Sequence, residues 1–387
     1  MLMPLSRLSI VALLMVSWGC ASTTPAHDDL PRWSINERPI LDIGDDAAGI
    51  VESAGDVNGA TRLPDGRIIV ADRQSSSLTF FAANGTLEKR VGRAGRGPGE
   101  FVHLSHLMRC GDSLLVYDSG KYSVYSLDGV LHRQFTLAGP SPGERAYRTA
   151  CNSTGVLLSY GWDLLKNLPR QSSVVRTTVP YWLSRSDGTL LATLGRFWSS
   201  ERWASIGDKV SGTGPLPLGK QPVVAVGRSR AYVGFADSLA VEVFTLDGVR
   251  ASTIRRDGPV RKSTSADIER FKLLDTLGRS QVDNERTVAE WREMQFPQTL
   301  PAYSSMVVDS DDNLWIRLYP EASETRATWI GFTSDGAGLA QVALPLALIV
   351  TEIGRDYVLG TEAELQTGIK RVKVFALIRG APAPSTP

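Results

Sequence analysis

A chain of 387 residues is long enough for two or three ordinary domains, although single all-β domains also reach this length. Apolar residues make up 42% and charged residues 21%, which supports a large core and argues against disorder. With 42 basic against 41 acidic residues, a net charge of +1 and no basic stripe or run, nucleic acid is not an expected partner.

The first residues carry Arg7, an apolar run from Leu8 to Val16, and then Ser17-Trp18-Gly19-Cys20. The run is too short to span a bilayer comfortably, so residues 1–19 read as a signal peptide. Gly-Cys directly after it resembles a bacterial lipobox, with Ser17 where the family usually carries Leu. That resemblance implies lipidation of Cys20; the alternative is an ordinary secretory signal that contains a Cys. Residues 20–32 are small, polar and Pro-containing and read as a tether. The expected location is therefore outside the cytoplasm, with a lipid anchor holding the protein at the bacterial cell envelope, periplasmic or surface.

From there the chain repeats. A turn and a β-rich run recur as 65–72 (DGRIIVAD), 111–118, 154–161, 228–235, 311–318 and 354–361. Each is followed by a hairpin, in five cases around Asn84-Gly85, Asp128-Gly129, Asp187-Gly188, Asp247-Gly248 or Asp335-Gly336. Asn-Gly and Asp-Gly favour the positive φ angles of tight hairpin turns. A further strand precedes each first run, for example 103–110 and 222–227, so each repeat holds about four strands, the size of a propeller blade. The expectation is an all-β, six-bladed β-propeller over residues 33–380. Its sixth repeat stops after three strands, and Trp33–Ile43 supplies the fourth. Residues 381–387 read as a disordered tail.

Within such a repeat, turns between first and second and between third and fourth strands lie at one end of the ring, and the other connections at the opposite end. The first set is uniformly short. The second holds every insertion: about 162–180, about 195–220 and about 258–300, together with the Gly-rich 92–101. The 258–300 insertion, between blades 4 and 5, reads as helical. Ser263 or Ser265 is positioned to cap Asp267–Leu277, a second run covers Asn284–Met294, and Leu273, Leu274 and Leu277 are expected to face the propeller. Trp162, Trp198, Trp203 and Trp291 fall in these insertions; Trp suits a binding surface, and equally suits pinning an insertion onto the ring.

Residues 92–101 (GRAGRGPGEF), with GRIIVAD and GDSLLVYD, resemble NHL-type repeats and in particular the bacterial six-bladed β-propeller proteins, many of them predicted lipoproteins. The resemblance spans about residues 33–380, is clearest in blades 1 and 2, and implies the fold rather than a function.

Arg93, Arg96 and Glu100 of the Gly-rich loop are candidates for holding an anion, against a purely routing role for the loop. Asp72 and Asp118 end their strands on the elaborated side, as acids or ligands, or as acceptors for the turn that follows. His103 and His106 are three apart on one strand and cannot easily share a metal; either can line the central channel, and no metal or cofactor is expected. Cys110 and Cys151 occupy equivalent turns of adjacent blades, where a disulfide or two small buried thiols both fit. The functional expectation is a monomeric binding module that recognises a peptide, glycan or envelope protein on the insertion-bearing face. The rival is a propeller hydrolase or lyase with its site at the channel mouth.

Overall fold

The computed structural model of the protein describes residues 30–44, 57–162, 168–207, 211–258, 260–276, 285, 287–289, 291–292, 294–363 and 370–380. The signal segment, Cys20, most of the tether, Leu277 and the 381–387 tail lie outside the described residues.

Six antiparallel units follow one another. Blade 1 is Val57–Arg62, Ile68–Asp72, Ser77–Phe81 and Leu87–Val91; blade 2 is Leu104–Cys110, Ser113–Asp118, Lys121–Ser126 and Leu131–Phe135. Blade 3 is Ala146–Cys151, Val156–Gly161, Thr178–Arg185 and Leu190–Trp198; blade 4 is Val223–Val226, Arg230–Gly234, Ala240–Thr245 and Arg250–Arg255. Blade 5 is Tyr303–Val308, Leu314–Leu318, Arg326–Phe332 and Gly338–Pro345, and blade 6 begins with Leu348–Ile353, Tyr357–Ala363 and Lys370–Ile378. The first strand of each blade touches the first strand of the next, and that of blade 6 touches that of blade 1, so the six sheets close into a ring. Second and third strands are apolar and buried almost throughout, because neighbouring sheets cover both of their faces; Ile68–Asp72 and Ser77–Phe81 have no exposed residue.

The fourth strand of blade 6 comes from the N-terminal segment, in two pieces. Arg32–Ile35 and Leu41–Ile43 both pair antiparallel with Lys370–Ile378, with Ser34 opposite Ile378 and Leu41 opposite Val374. Arg32–Ile35 also pairs in parallel with Gly338–Pro345, which joins blades 5 and 6 into one sheet. Ile43 packs with Val57, Phe81, Leu359 and Val372 between blades 6 and 1.

The hairpin turns differ in detail from a tight two-residue form. Gly85, Gly129, Gly188, Gly248 and Gly336 have φ between 76° and 91°, while the Asn or Asp before each does not enter the left-handed region. A register shift follows in every case. The pair thus forms an ordinary turn ending in a glycine bulge, which is why glycine is needed only at the second position.

One end of the ring is tight. No connection there exceeds five residues, and neighbouring turns bond to each other. Gly111 N–H donates to Asn152 O (3.1 Å), Asn152 Nδ2 to Gly227 O (2.7 Å), Ser229 Oγ to Asp312 Oδ2 (2.7 Å) and Ser310 N–H to Ile353 O (3.2 Å). Between blades 6 and 1, Glu352 accepts from Thr61 Oγ1, Arg62 N–H (3.1 Å) and Tyr357 OH (3.1 Å). Burial pushes its carboxyl above the usual range, against the pull of these hydrogen bonds.

The opposite end carries the insertions. Ser173–Val175, Arg202–Ile206 and Ser211–Pro215 form an extra three-stranded sheet from two connections of blade 3. Arg176 fixes it to blade 4 through Ser199 O, Asp237 and Phe235 O. The helix Ser265–Thr276 stands between blades 4 and 5, with helical residues again at 285, 287–289 and 291–292. Its cap is Thr264, whose Oγ1 accepts from Asp267 N–H while Asp267 accepts from Thr264 N–H, so neither Ser263 nor Ser265 has that role. The expected apolar contact is also corrected: Leu273 and Leu274 are exposed. The helix is held by polar links from Arg261 to Asp267 and Tyr319 O and from Arg270 to Glu321 O, and by Phe271 against Trp291 and Phe296.

Cys110 and Cys151 form a disulfide between the first strands of blades 2 and 3, with Cα atoms 5.3 Å apart and a sequence separation of 41. Cross-links of this kind contribute roughly 2–4 kcal/mol. The double variant Cys110→Ser/Cys151→Ser should lose about that much in urea unfolding without reductant, and should match the wild type once dithiothreitol is added. Equal stability of the two proteins under oxidising conditions would contradict the cross-link.

Candidate functional site

Three features meet the elaborated end. The first is the connection from blade 1 to blade 2. Glu100 Oε2 accepts from Gly97 N–H (2.8 Å) and Oε1 from Arg93 Nε (2.8 Å). The Gly97 N–H, followed by the Arg93 guanidinium, holds the Glu100 carboxyl below the usual range. Gly95 makes this possible, since a Cβ there would lie 2.1 Å from Glu100 Oε2. Arg93 and Glu100 are therefore tied to each other, while the Arg96 side chain is exposed and has neither hydrogen bond nor ion pair among the described residues. A cavity of about 240 Å³ lies beside this loop, lined by Arg96, Gly97, Glu100, Asp118, Lys121 and Gln134 among others. Asp118 is buried and accepts from Val102 N–H (3.1 Å) and His103 N–H. It thus anchors the preceding loop, whereas Asp72 accepts from Gln74 N–H (3.0 Å) in the turn that follows it.

The second feature is the mouth of the channel. His103 stands just before the first strand of blade 2, its ring beside Arg73 (3.2 Å). His106 is on that strand and exposed, which on an innermost strand means the axial channel. Enclosure by the surrounding protein, and then the Arg148 guanidinium of blade 3, lower its pKa from 6.5 to about 4. The ring is thus neutral at pH 7, beside an exposed Arg148 with no ion pair among the described residues.

Aromatic rings make the third. Trp162 is half exposed (51%) and meets Tyr147 edge to face at 4.6 Å, and the Arg148 guanidinium lies 5.9 Å from the Tyr147 ring. Behind Tyr147 the rings of Tyr160, Tyr181, Phe197 and Phe235 continue into the core. Trp198 is exposed as well, with Arg176 over its ring at 5.6 Å. Trp203 and Trp291 are different. Both are buried, Trp203 in the added sheet and Trp291 against Phe271, so they pin insertions rather than face a ligand.

The structure thus brings Arg96 to a cavity and Trp162 to the channel mouth, but does not converge all the expected residues on one point. Arg148, Tyr147 and Lys121 were not singled out from the sequence. Aligning the first strands of blades 2 and 3 on Cys110 and Cys151 would have set Tyr147 opposite His106; Lys121 offers no comparable signal. Among the described residues no group of three or more His, Cys, Asp and Glu is arranged to hold a metal ion, and no helix is long and apolar enough to cross a membrane.

The antiparallel sheets closed into a ring make this chain an all-β propeller. Residues 59–138 match a family model described as a 6-bladed beta-propeller. No curated protein matches. Solved structures of similar arrangement include a member of the duf4221 family from Bacteroides vulgatus, at 10% identity and a TM-score of 0.48 over 89% of this chain and 99% of that one. A protein from Bacteroides fragilis described as exported has 10% identity and a TM-score of 0.46 over 90% and 99%. The PQQ-bound aldose sugar dehydrogenase from Streptomyces coelicolor has 11% identity and a TM-score of 0.44 over 92% and 100%.

The low pKa of His106 has a testable consequence. The unfolded chain binds a proton near pH 6.5 and the folded chain only near 4, so stability falls as pH drops through that interval. NMR titration should give His106 a midpoint near 4, and His106→Gln should lose less stability than the wild type between pH 6.5 and 4. A midpoint near 6.5 would contradict the enclosed position.

Proposed function

We propose that this protein is a cell-envelope binding module, with the insertion-bearing end of the propeller as its recognition surface for a peptide, glycan or partner protein. The observation that carries the reading is the line from exposed Trp162 through Tyr147 and Arg148 to His106 at the channel mouth. It offers aromatic rings, a cation with no ion pair among the described residues and a neutral imidazole, a combination suited to ligand capture. Trp198 extends the aromatic surface toward blade 4. The insertions beneath are well fastened, since Lys220 links Glu201 to Thr299 and so ties the blade 3 insertion to the one after blade 4. A surface fixed in this way loses little freedom when it binds.

Placement at the envelope rests on the first twenty residues, with their short apolar run and Gly19-Cys20, and the anchor in this reading is a lipid on Cys20.

The reading is tested by applying the purified protein to glycan and peptide arrays and measuring the best ligands in solution. Trp162→Ala and Arg148→Ala should each weaken binding about tenfold or more while leaving the melting temperature within about 2 °C. Best ligands bound equally well by both variants would overturn the assignment of this surface.

A further inference from the structure

The cavity beside the Gly-rich loop differs from the rest of the elaborated end in how its polar groups are used. Its carboxylates are already committed. Both oxygens of Glu100 accept within the loop, from Gly97 N–H and Arg93. Asp118 accepts from Val102 N–H through both oxygens, from His103 N–H and from Ser119 Oγ. Its cations are not committed: neither Arg96 nor Lys121 makes a side-chain hydrogen bond or ion pair among the described residues, and both are exposed. The lining thus carries two cations, Arg96 and Lys121, and two carboxylates, Glu100 and Asp118, and only the carboxylates are engaged by neighbouring protein groups.

A further donor lies under the same loop. The Tyr125 hydroxyl is buried without a hydrogen-bond partner among the described residues, 3.9 Å from where a Cβ on Gly99 would stand. Burial, and then the charge of Asp118, raise its pKa to about 12, so it keeps its proton. The charged groups left open at the cavity are thus the cations Arg96 and Lys121, since its carboxylates already accept hydrogen bonds within the protein. Such a cavity selects a ligand that brings acceptors. The aliphatic stems of Arg96 and Lys121 and the exposed Val102 give its wall an apolar component as well. At about 240 Å³ it is below the range of drug-sized sites and suits a single small ring or acid.

We infer that this cavity binds a monosaccharide-sized organic anion, with Arg96 and Lys121 gripping its carboxylate or sulfate. The inference rests on the insertion-bearing end being a recognition surface and names one chemical class that it takes. Charge-assisted hydrogen bonds from a guanidinium and an ammonium supply the selectivity for an oxyanion, and the ring packs against Val102 and the aliphatic stems.

The test titrates the purified protein with glucuronate, glucose 6-sulfate, glucose and inorganic sulfate, followed by protein NMR. The two sugar anions should bind more tightly than glucose and than sulfate, with shifts centred on residues 96–102 and 118–121. Arg96→Gln and Lys121→Gln, both at exposed positions, should each weaken them about two- to fivefold, and the double variant about tenfold. Raising the salt from about 50 to 300 mM should weaken binding severalfold. Glucose or sulfate binding as tightly as the sugar anions would overturn the proposal, as would sugar-anion affinity unchanged in the double variant. Arrayed ligands that still depend on Trp162 and Arg148 in that event would leave the surface assignment standing and remove only this cavity. Loss of that dependence together with intact sugar-anion binding would do the reverse.

Discussion

A ring of sheets exists only if its last sheet has somewhere to end. Lys370–Ile378 would present a row of unpaired N–H and C=O groups on the outside of blade 6, and the N-terminal strands Arg32–Ile35 and Leu41–Ile43 occupy that row. The pairing joins residues more than three hundred positions apart, so its loop-closure entropy is spread over the whole ring. It is reinforced on the inside, where Glu352 of blade 6 collects Thr61 and Arg62 of blade 1, and in the layer between, where Ile43 meets Phe81 and Val372. Arg32–Ile35 adds a second tie by pairing with blade 5. Without closure the first strands would have no common axis, and the channel mouth would not exist.

The closed ring makes its two ends unequal. At the tight end the turns are short and spend their polar groups on one another, as with Asn152 between blades 2, 3 and 4. Little there is left for a ligand. At the other end the chain is long and its groups are divided. Some are used internally, including Glu100, Asp118, Arg176 and Lys220. Others have no ion pair among the described residues, as with Arg96, Lys121 and Arg148, or stay exposed, as with Trp162 and Trp198. That division matters because the fold by itself is compatible with binding and with catalysis alike.

Much of the architecture was legible because a blade is local. The apolar second strands and the Asn-Gly or Asp-Gly hairpins each fit within a dozen residues, and their recurrence gives the count. The side of the insertions followed from antiparallel connectivity alone. What depends on meetings between blades was not legible. Cys110 and Cys151 had equivalent places in the repeat, but whether they bond is set by a 5.3 Å Cα separation across two sheets. Trp203 and Trp291 share a residue type and an insertion setting with Trp162 and Trp198, yet the first two are buried and the second two exposed, according to what each insertion packs against. Leu273 and Leu274 lie on a helix held by arginine contacts, so their apolar character was a poor guide to its orientation. His106 and Arg148 come from different blades, and only setting their first strands side by side on Cys110 and Cys151 brings the two positions near each other.

The closing strands offer the most direct measurement. Hydrogen exchange of the Lys370–Ile378 amides should be followed in the intact chain and in a chain lacking residues 30–44. The account predicts slow exchange in the first and exchange on the order of a hundredfold faster in the second, with protection also lost in the adjoining first strand of blade 1. Equal protection of those amides in both chains would mean that the ring does not depend on its N-terminal strands.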